Sequence, residues 1–180
     1  MKNLVCISLM ALFFVSCDDV KDALSELTKF DLDYESEVRI PATTLVNSPI
    51  SLNTPAVTTN SNSRFENNDT NADLVESVKL KSMTLTITEP NDGNFDFLNE
   101  IKIGIKADGL DEVEIAVATD IMEDGKRILE MATSDVELKE YIKKDEYSLN
   151  VSTTTDQTIS EEHIIEIKSV FAVDAEILGL

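Results

Sequence analysis

Polar and apolar residues alternate along residues 30–40, "FDLDYESEVRI". Phe30, Leu32, Tyr34, Val38 and Ile40 point one way and Asp31, Asp33, Glu35, Glu37 and Arg39 the other. Successive side chains of an extended chain project to opposite faces, so this period of two marks a half-buried strand, ended by Pro41. The same alternation recurs in "SMTLTIT" (82–88), with Met83, Leu85 and Ile87 inward, and in "FDFLNEIKIGIKADG", with Ile101, Ile103 and Ile105 aligned. "EVEIAVAT" would pair next, with Val113, Ile115 and Val117 inward. Asp124-Gly125 would then close a hairpin on "RILEMAT", because that dipeptide accepts positive φ. "EYSLNVSTT" alternates through Tyr147, Leu149 and Val151. In "HIIEIKSVFAVDAEI", Ile165, Ile167, Phe171, Val173 and Ala175 share one face, and Val170 and Ala172 add apolar groups to the other. A strand apolar on both sides is expected in the middle of a sheet.

Helical spacing appears in three places. In residues 18–29, Val20, Ala23, Leu24 and Leu27 form an i, i+3, i+4, i+7 stripe, read as a short helix or an acidic tether. Thr70 and Asp73 make a capping-box pattern ahead of Leu74, Val75 and Val78, which predicts a two-turn helix. Ser134 and Glu137 make another ahead of Leu138, Tyr141 and Ile142, and predict a helix over 134–144 capped by Ser134. Residues 41–69 are rich in Thr, Ser, Asn and Pro. They read as a long connection with short edge strands at "PISL" and "SRFE", or as a linker. The expected fold is mainly β: an antiparallel β-sandwich of seven or eight strands with two or three short helices in connections, forming one domain over residues 30–180.

The chain opens with Lys2, then an apolar run from Leu4 to Val15, then Ser16-Cys17. A charged start, a short apolar run and a small residue at the cut describe a signal peptide over 1–16. The run is too short to cross a bilayer, which takes roughly 20 apolar residues. "FVSC" resembles the bacterial lipobox, with Phe14 where leucine is usual. That resemblance implies that Cys17 is acylated and becomes the first mature residue; ordinary cleavage near Ser16 is the alternative. Asp18, Asp19 and Asp22 follow at once, and charge beside the acyl chains is what a sorting machinery would read. The only other cysteine, Cys6, leaves with the signal, so no disulfide and no cysteine metal site is expected.

The formal charge of −20 opposes binding to nucleic acid or anionic headgroups. There is no tryptophan, and the few Phe and Tyr sit mostly at alternating strand positions, which leaves few rings to stack on sugars or bases. The one histidine, His163, opens the last strand with no nucleophile motif beside it, and reads as a strand-end residue. Asp69, Asn71 and Asp73, and again Asp92, Asn94 and Asp96, match half of a calcium loop. Leu74 and Phe97 stand where its glycine belongs, and Leu80 and Ile103 where its glutamate belongs, so a helix start and a turn are the better readings. No cofactor is expected.

"LVESVKLKSMTLTIT", "FDFLNEIKIGI", "ELKEYIKKDEYSLNVSTTTD" and "IIEIKSVFAVDAE" together resemble a group of uncharacterised lipoproteins of Bacteroidota. The strand order also resembles immunoglobulin-like sandwiches of the water-stress and desiccation type, which bears on fold alone. The resemblance implies a non-enzymatic, lipid-anchored binding or structural module of the cell envelope. Its membrane contact would run through the N-terminal lipid, and the outer membrane is the favoured location. The alternatives are an assembly component that pairs with an envelope protein through an edge strand, and, less expected, an enzyme.

Overall fold

The structure is a computed structural model that describes residues 28–176. Its strands are β1 (Lys29–Ile40), β2 (Pro49–Asn53), β3 (Val57–Thr58), β4 (Val75–Glu89), β5 (Leu98–Ala107), β6 (Val113–Thr119), β7 (Ile128–Glu130), β8 (Ala132–Thr133), β9 (Glu146–Thr155) and β10 (His163–Ala175). Two short helices, α1 (Ser61–Glu66) and α2 (Lys139–Ile142), lie in connections. One antiparallel sheet runs β1-β10-β4-β7 and the other β2-β9-β5-β6-β8, with β3 also on β9. Two antiparallel sheets packed face to face make the chain a β-sandwich. The tally of ten exceeds seven or eight because β3, β7 and β8 are only two or three residues long.

The alternation at β1, β5, β9 and β10 folds as read. β1 pairs with β10 over twelve unbroken positions, from Lys29 opposite Asp174 to Ile40 opposite His163. β10 lies between β1 and β4, so its doubly apolar second half is central. Ile101, Ile103 and Ile105 are fully buried, as are Leu149, Val151, Ile165 and Ile167. The sheets are joined at an aromatic cluster. Tyr34 of β1 and Phe171 of β10 meet Tyr147 of β9 edge-on, with centroids 5.7 to 6.1 Å apart. Burial pushes the Tyr34 hydroxyl up to about 12, and it donates to the Thr59 carbonyl at 3.0 Å.

The expected helix at 70–78 is instead a turn followed by β4. Thr70 donates its hydroxyl to the Glu176 carbonyl at 2.6 Å, and Asn71 accepts from the Asp73 N–H at 2.9 Å. The helical stripe arose from bulges. Register shifts leave Glu76, Lys81 and Thr88 without partners on β10, so the buried residues are Val75, Val78, Leu80, Met83, Leu85 and Ile87. An extra residue in a strand resets its alternation, and two bulges in eight residues imitate helical spacing. β6 shows the same effect. A bulge opposite Ile103 and Gly104 buries both Ile115 and Ala116 and turns Val117 outward, opposite Lys102, against the expectation that Val117 points in.

"SRFE" is helical, not a strand: it lies in α1, whose Phe65 is fully buried and edge-on to Phe30 at 6.4 Å. "RILEMAT" does not return as one hairpin strand. Its first part, β7, pairs with β4 in one sheet, and its second, β8, pairs with β6 in the other. Met131 is the pivot, buried, with its N–H on the Met83 carbonyl at 3.0 Å.

Ser134 does not cap α2. Its N–H donates to the Ile115 carbonyl at 2.9 Å and its hydroxyl to the Glu114 carbonyl at 3.1 Å, so it extends the β8 pairing. The helix starts five residues later, and Glu137 serves it. One carboxylate oxygen accepts from the N–H of Val78 (2.8 Å) and of Lys139 (2.9 Å), and the other from the Ser77 hydroxyl (2.7 Å). Partial burial pushes the Glu137 carboxyl up, but these donors and the Lys139 charge outweigh it and hold the group below the usual glutamate value of 4.5. A carboxylate depressed in the folded state stabilises it fully above the unfolded value, and loses that contribution as pH falls through the folded one. Glu137→Gln should therefore lower the denaturant midpoint at pH 7, and the gap to the parent should close as pH drops below 4.5. Ser134→Ala should do less at pH 7. A gap that stays constant with pH would contradict this role for Glu137.

Candidate functional site

The two ends of the described chain meet at one pole. The Ala175 N–H donates to the Thr28 carbonyl at 3.1 Å, and the Glu176 N–H to the Leu74 carbonyl at 2.9 Å. The opposite pole carries Ile40, His163 and the turn after Glu89, together with the ends of β5 and β9 at Leu98 and Thr155. Candidate residues fall unevenly on this frame. Cys17, Asp18, Asp19 and Asp22 lie outside the described residues.

His163 sits at the far pole, nearly buried, with its ring 4.6 Å from that of Phe97 and Nδ1 3.1 Å from the Glu161 carbonyl oxygen. Asp92, Asn94 and Asp96 share that pole, but the side chains of Asn94 and Asp96 organise loops. Asn94 accepts from the Asp96 N–H at 3.0 Å, and Asp96 from the Gly125 N–H at 2.9 Å. Asp69, Asn71 and Asp73 form the turn before β4 at the other end. The residues at the glycine and glutamate positions of those patterns include Phe97, Leu80 and Ile103, all in the core. Among the described residues, no group of three or more His, Cys, Asp or Glu could hold a metal ion.

A cleft with a largely apolar lining was not foreseen from the sequence. Where the chain leaves β6, crosses to β7 and returns to β8, residues of both sheets line a cleft of about 370 Å³. Phe95, Ala118, Ile121 and Leu129 line its apolar part, and Asp120, Asp124, Lys126 and Glu130 contribute charge. Met122, 69% exposed, stands at its edge, and Ile128, 56% exposed, on the adjoining strand. The signal lies in "IMEDGKRI", which keeps apolar residues on both sides of the Asp-Gly turn. Gly125 does adopt φ +71°, as expected of that pair, and Asp120 turns the chain out of β6 at φ +53°.

The cleft wall is held from behind. The Phe95 N–H donates to the Lys126 carbonyl at 2.9 Å. The Arg127 guanidinium reaches four carbonyls around the Glu89–Pro90 turn: Pro90 (3.1 Å), Ile87 (2.7 Å), Thr88 (3.5 Å) and Asn91. At the loop tip Lys126 pairs with Asp124 at 2.5 Å, and the hydrogen bond from Lys126 holds the Asp124 carboxyl below its usual range.

No family model matches the chain, and no curated protein matches it. Among solved structures it is similar to one of turnip yellow mosaic virus, at 15% identity and a TM-score of 0.32, covering 84% of this chain and 96% of that one. It is also similar to the decameric BFDV capsid protein, at 8% identity and a TM-score of 0.33, covering 81% and 99%. A Desmodium yellow mottle tymovirus structure gives 9% identity and a TM-score of 0.28, covering 84% and 91%. At such scores the likeness carries no argument about what this chain does.

Hydrogen bonds from a charged donor each contribute about 1.5–3 kcal/mol, and of the carbonyls that Arg127 gathers, that of Pro90 also accepts from the Gly93 N–H at 3.0 Å. Arg127→Gln should thus destabilise the fold by about that amount, and Arg127→Lys by less. Amide exchange should speed up most in residues 87–95 and 124–127. A variant with parent stability and unchanged exchange would show that the clamp is incidental.

Proposed function

We propose that the chain is a lipid-anchored module of the cell envelope that binds or organises a partner, and not a catalyst. The observation that carries this reading is the polar arrangement of the sandwich. The end at Thr28, nearest in sequence to the lipobox-like "FVSC", lies at the pole opposite the cleft. A chain held at Cys17 would thus present Met122, Ile128 and the cleft away from the bilayer. Three acyl chains, as the lipobox resemblance implies, suit such a hold, because each buried methylene contributes about 0.8 kcal/mol and lasting attachment takes more than one chain. The resemblance to Bacteroidota lipoproteins favours the outer membrane. There Asp18, Asp19 and Asp22 would act as the sorting signal read beside the lipid.

Cys17→Ala should move the protein from the membrane fraction to the soluble one. Retention of that variant through a salt wash would remove the anchor. Replacing Asp18, Asp19 and Asp22 together by alanine should leave the protein lipidated but shielded from protease added to intact cells. Equal digestion of parent and variant would take the aspartates out of sorting.

A further inference from the structure

We infer that the cleft between β6 and β7 is a docking site for an extended segment of a partner protein in which basic and apolar residues alternate, added as a strand along β7. The inference deepens the binding-module reading and rests on it for the existence of a partner.

Backbone pairing is the first support. Among the described residues β7 pairs with β4 on one side only, through Ile128, Leu129 and Glu130. β6 is covered by β8 only at Ala116 and Val117, so its outer edge beyond Val117 meets no strand among the described residues. Two strand edges therefore flank one cleft, and unpaired edges are what strand addition uses. The cleft's apolar lining is the second support. A strand laid along β7 alternates its side chains across the sheet, as every strand does. One set would enter the cleft over Leu129, Phe95 and Ile121, and the other would lie on the outer face beside Ile128 and Glu130.

Charge selects the partner. Asp120 and Asp124 line the cleft, Glu130 stands at its rim on the outer face of β7, and the single lining cation among the described residues, Lys126, is already paired with Asp124. An acidic or neutral strand would leave Asp120 and Glu130 uncompensated, and a basic one would satisfy them. A second copy of this chain does not supply such a strand. Its basic-apolar stretches, Val78-Lys79-Leu80-Lys81 and Ile101-Lys102-Ile103, are already paired inside β4 and β5.

The test uses the full chain in nonionic detergent and a blocked peptide, Lys-Val-Lys-Trp-Lys-Val-Lys. The protein has no tryptophan, so the emission reports the peptide alone. Saturable binding with a blue-shifted emission is expected. Alternate backbone N-methylation should weaken it by about tenfold or more, as should Glu130→Lys, while Glu35→Lys, three strands away on the opposite edge strand β1, should leave it unchanged. Ala118→Arg, which fills the cleft from a half-exposed position, should abolish it. The glutamate version of the peptide should not bind. Equal affinity for the N-methylated peptide would overturn strand addition, and equal weakening by Glu35→Lys would reduce the effect to net charge. Absence of saturable binding would overturn the docking site. These outcomes do not depend on Cys17, so they fail or succeed apart from the anchor.

Discussion

The contact between two apolar sheet faces is what the rest of this molecule depends on. Cys6 and Cys17 are the only cysteines and both precede the described fold, so no disulfide holds the sandwich. Each fully buried Val, Leu, Ile or Phe contributes roughly 1.5–3 kcal/mol, and β4, β5, β9 and β10 each present a set of buried apolar residues to the interior. Tyr34, Tyr147 and Phe171 sit where the sheets are closest bound, with edge-on rings that add to simple burial. A constraint follows for everything else. Loops and short strands can depart from regularity only where the two faces remain covered.

The connection from residue 41 to residue 69 shows how that is met. Thr54 and Thr59 turn inward and tie it to β9 and the turn before β9, and Thr155 of β9 reaches back to it. The Thr59 hydroxyl donates to the Lys144 carbonyl at 2.5 Å, Thr54 accepts from the Leu149 N–H at 2.9 Å, and Thr155 donates to the Leu45 carbonyl at 3.1 Å. Buried hydroxyls with partners are inexpensive and fix the register of a segment that has little apolar surface of its own. The edge at β6, β7 and β8 is where coverage ends, and it is where Met122 and Ile128 are exposed and the cleft opens.

Much of this architecture is legible in the residues. β1, β9 and β10 alternate without interruption, and their inward sets are the buried sets. Failures trace to features that alternation does not encode. The bulges at Glu76 and Lys81 turn a strand pattern into a helix-like one, and that at Ile115 inverts Val117. The Ser134–Glu137 spacing matches a capping box, yet Ser134 is taken by the β6 edge and Glu137 caps a helix that begins later. The cleft depends on Met131 carrying one strand between two sheets, a tertiary event that the apolar residues of "IMEDGKRI" mark only indirectly. Conversely, the lipobox-like run and its aspartates are legible only in the sequence.

The central claim is that the sandwich hangs from the membrane by the Thr28 pole with its cleft outward. β1 alone spans about 40 Å at 3.3 Å per residue, so the two poles stand well apart. A fluorophore on Met122→Cys, in a chain whose only other mature cysteine is Cys17, reads that separation directly when the lipidated protein is placed in vesicles bearing headgroup quenchers. Emission from residue 122 that is unaffected by the quencher, beside strong quenching from a label at Thr28→Cys, is the result the account predicts. Strong quenching at residue 122 would lay the cleft against the bilayer and contradict it.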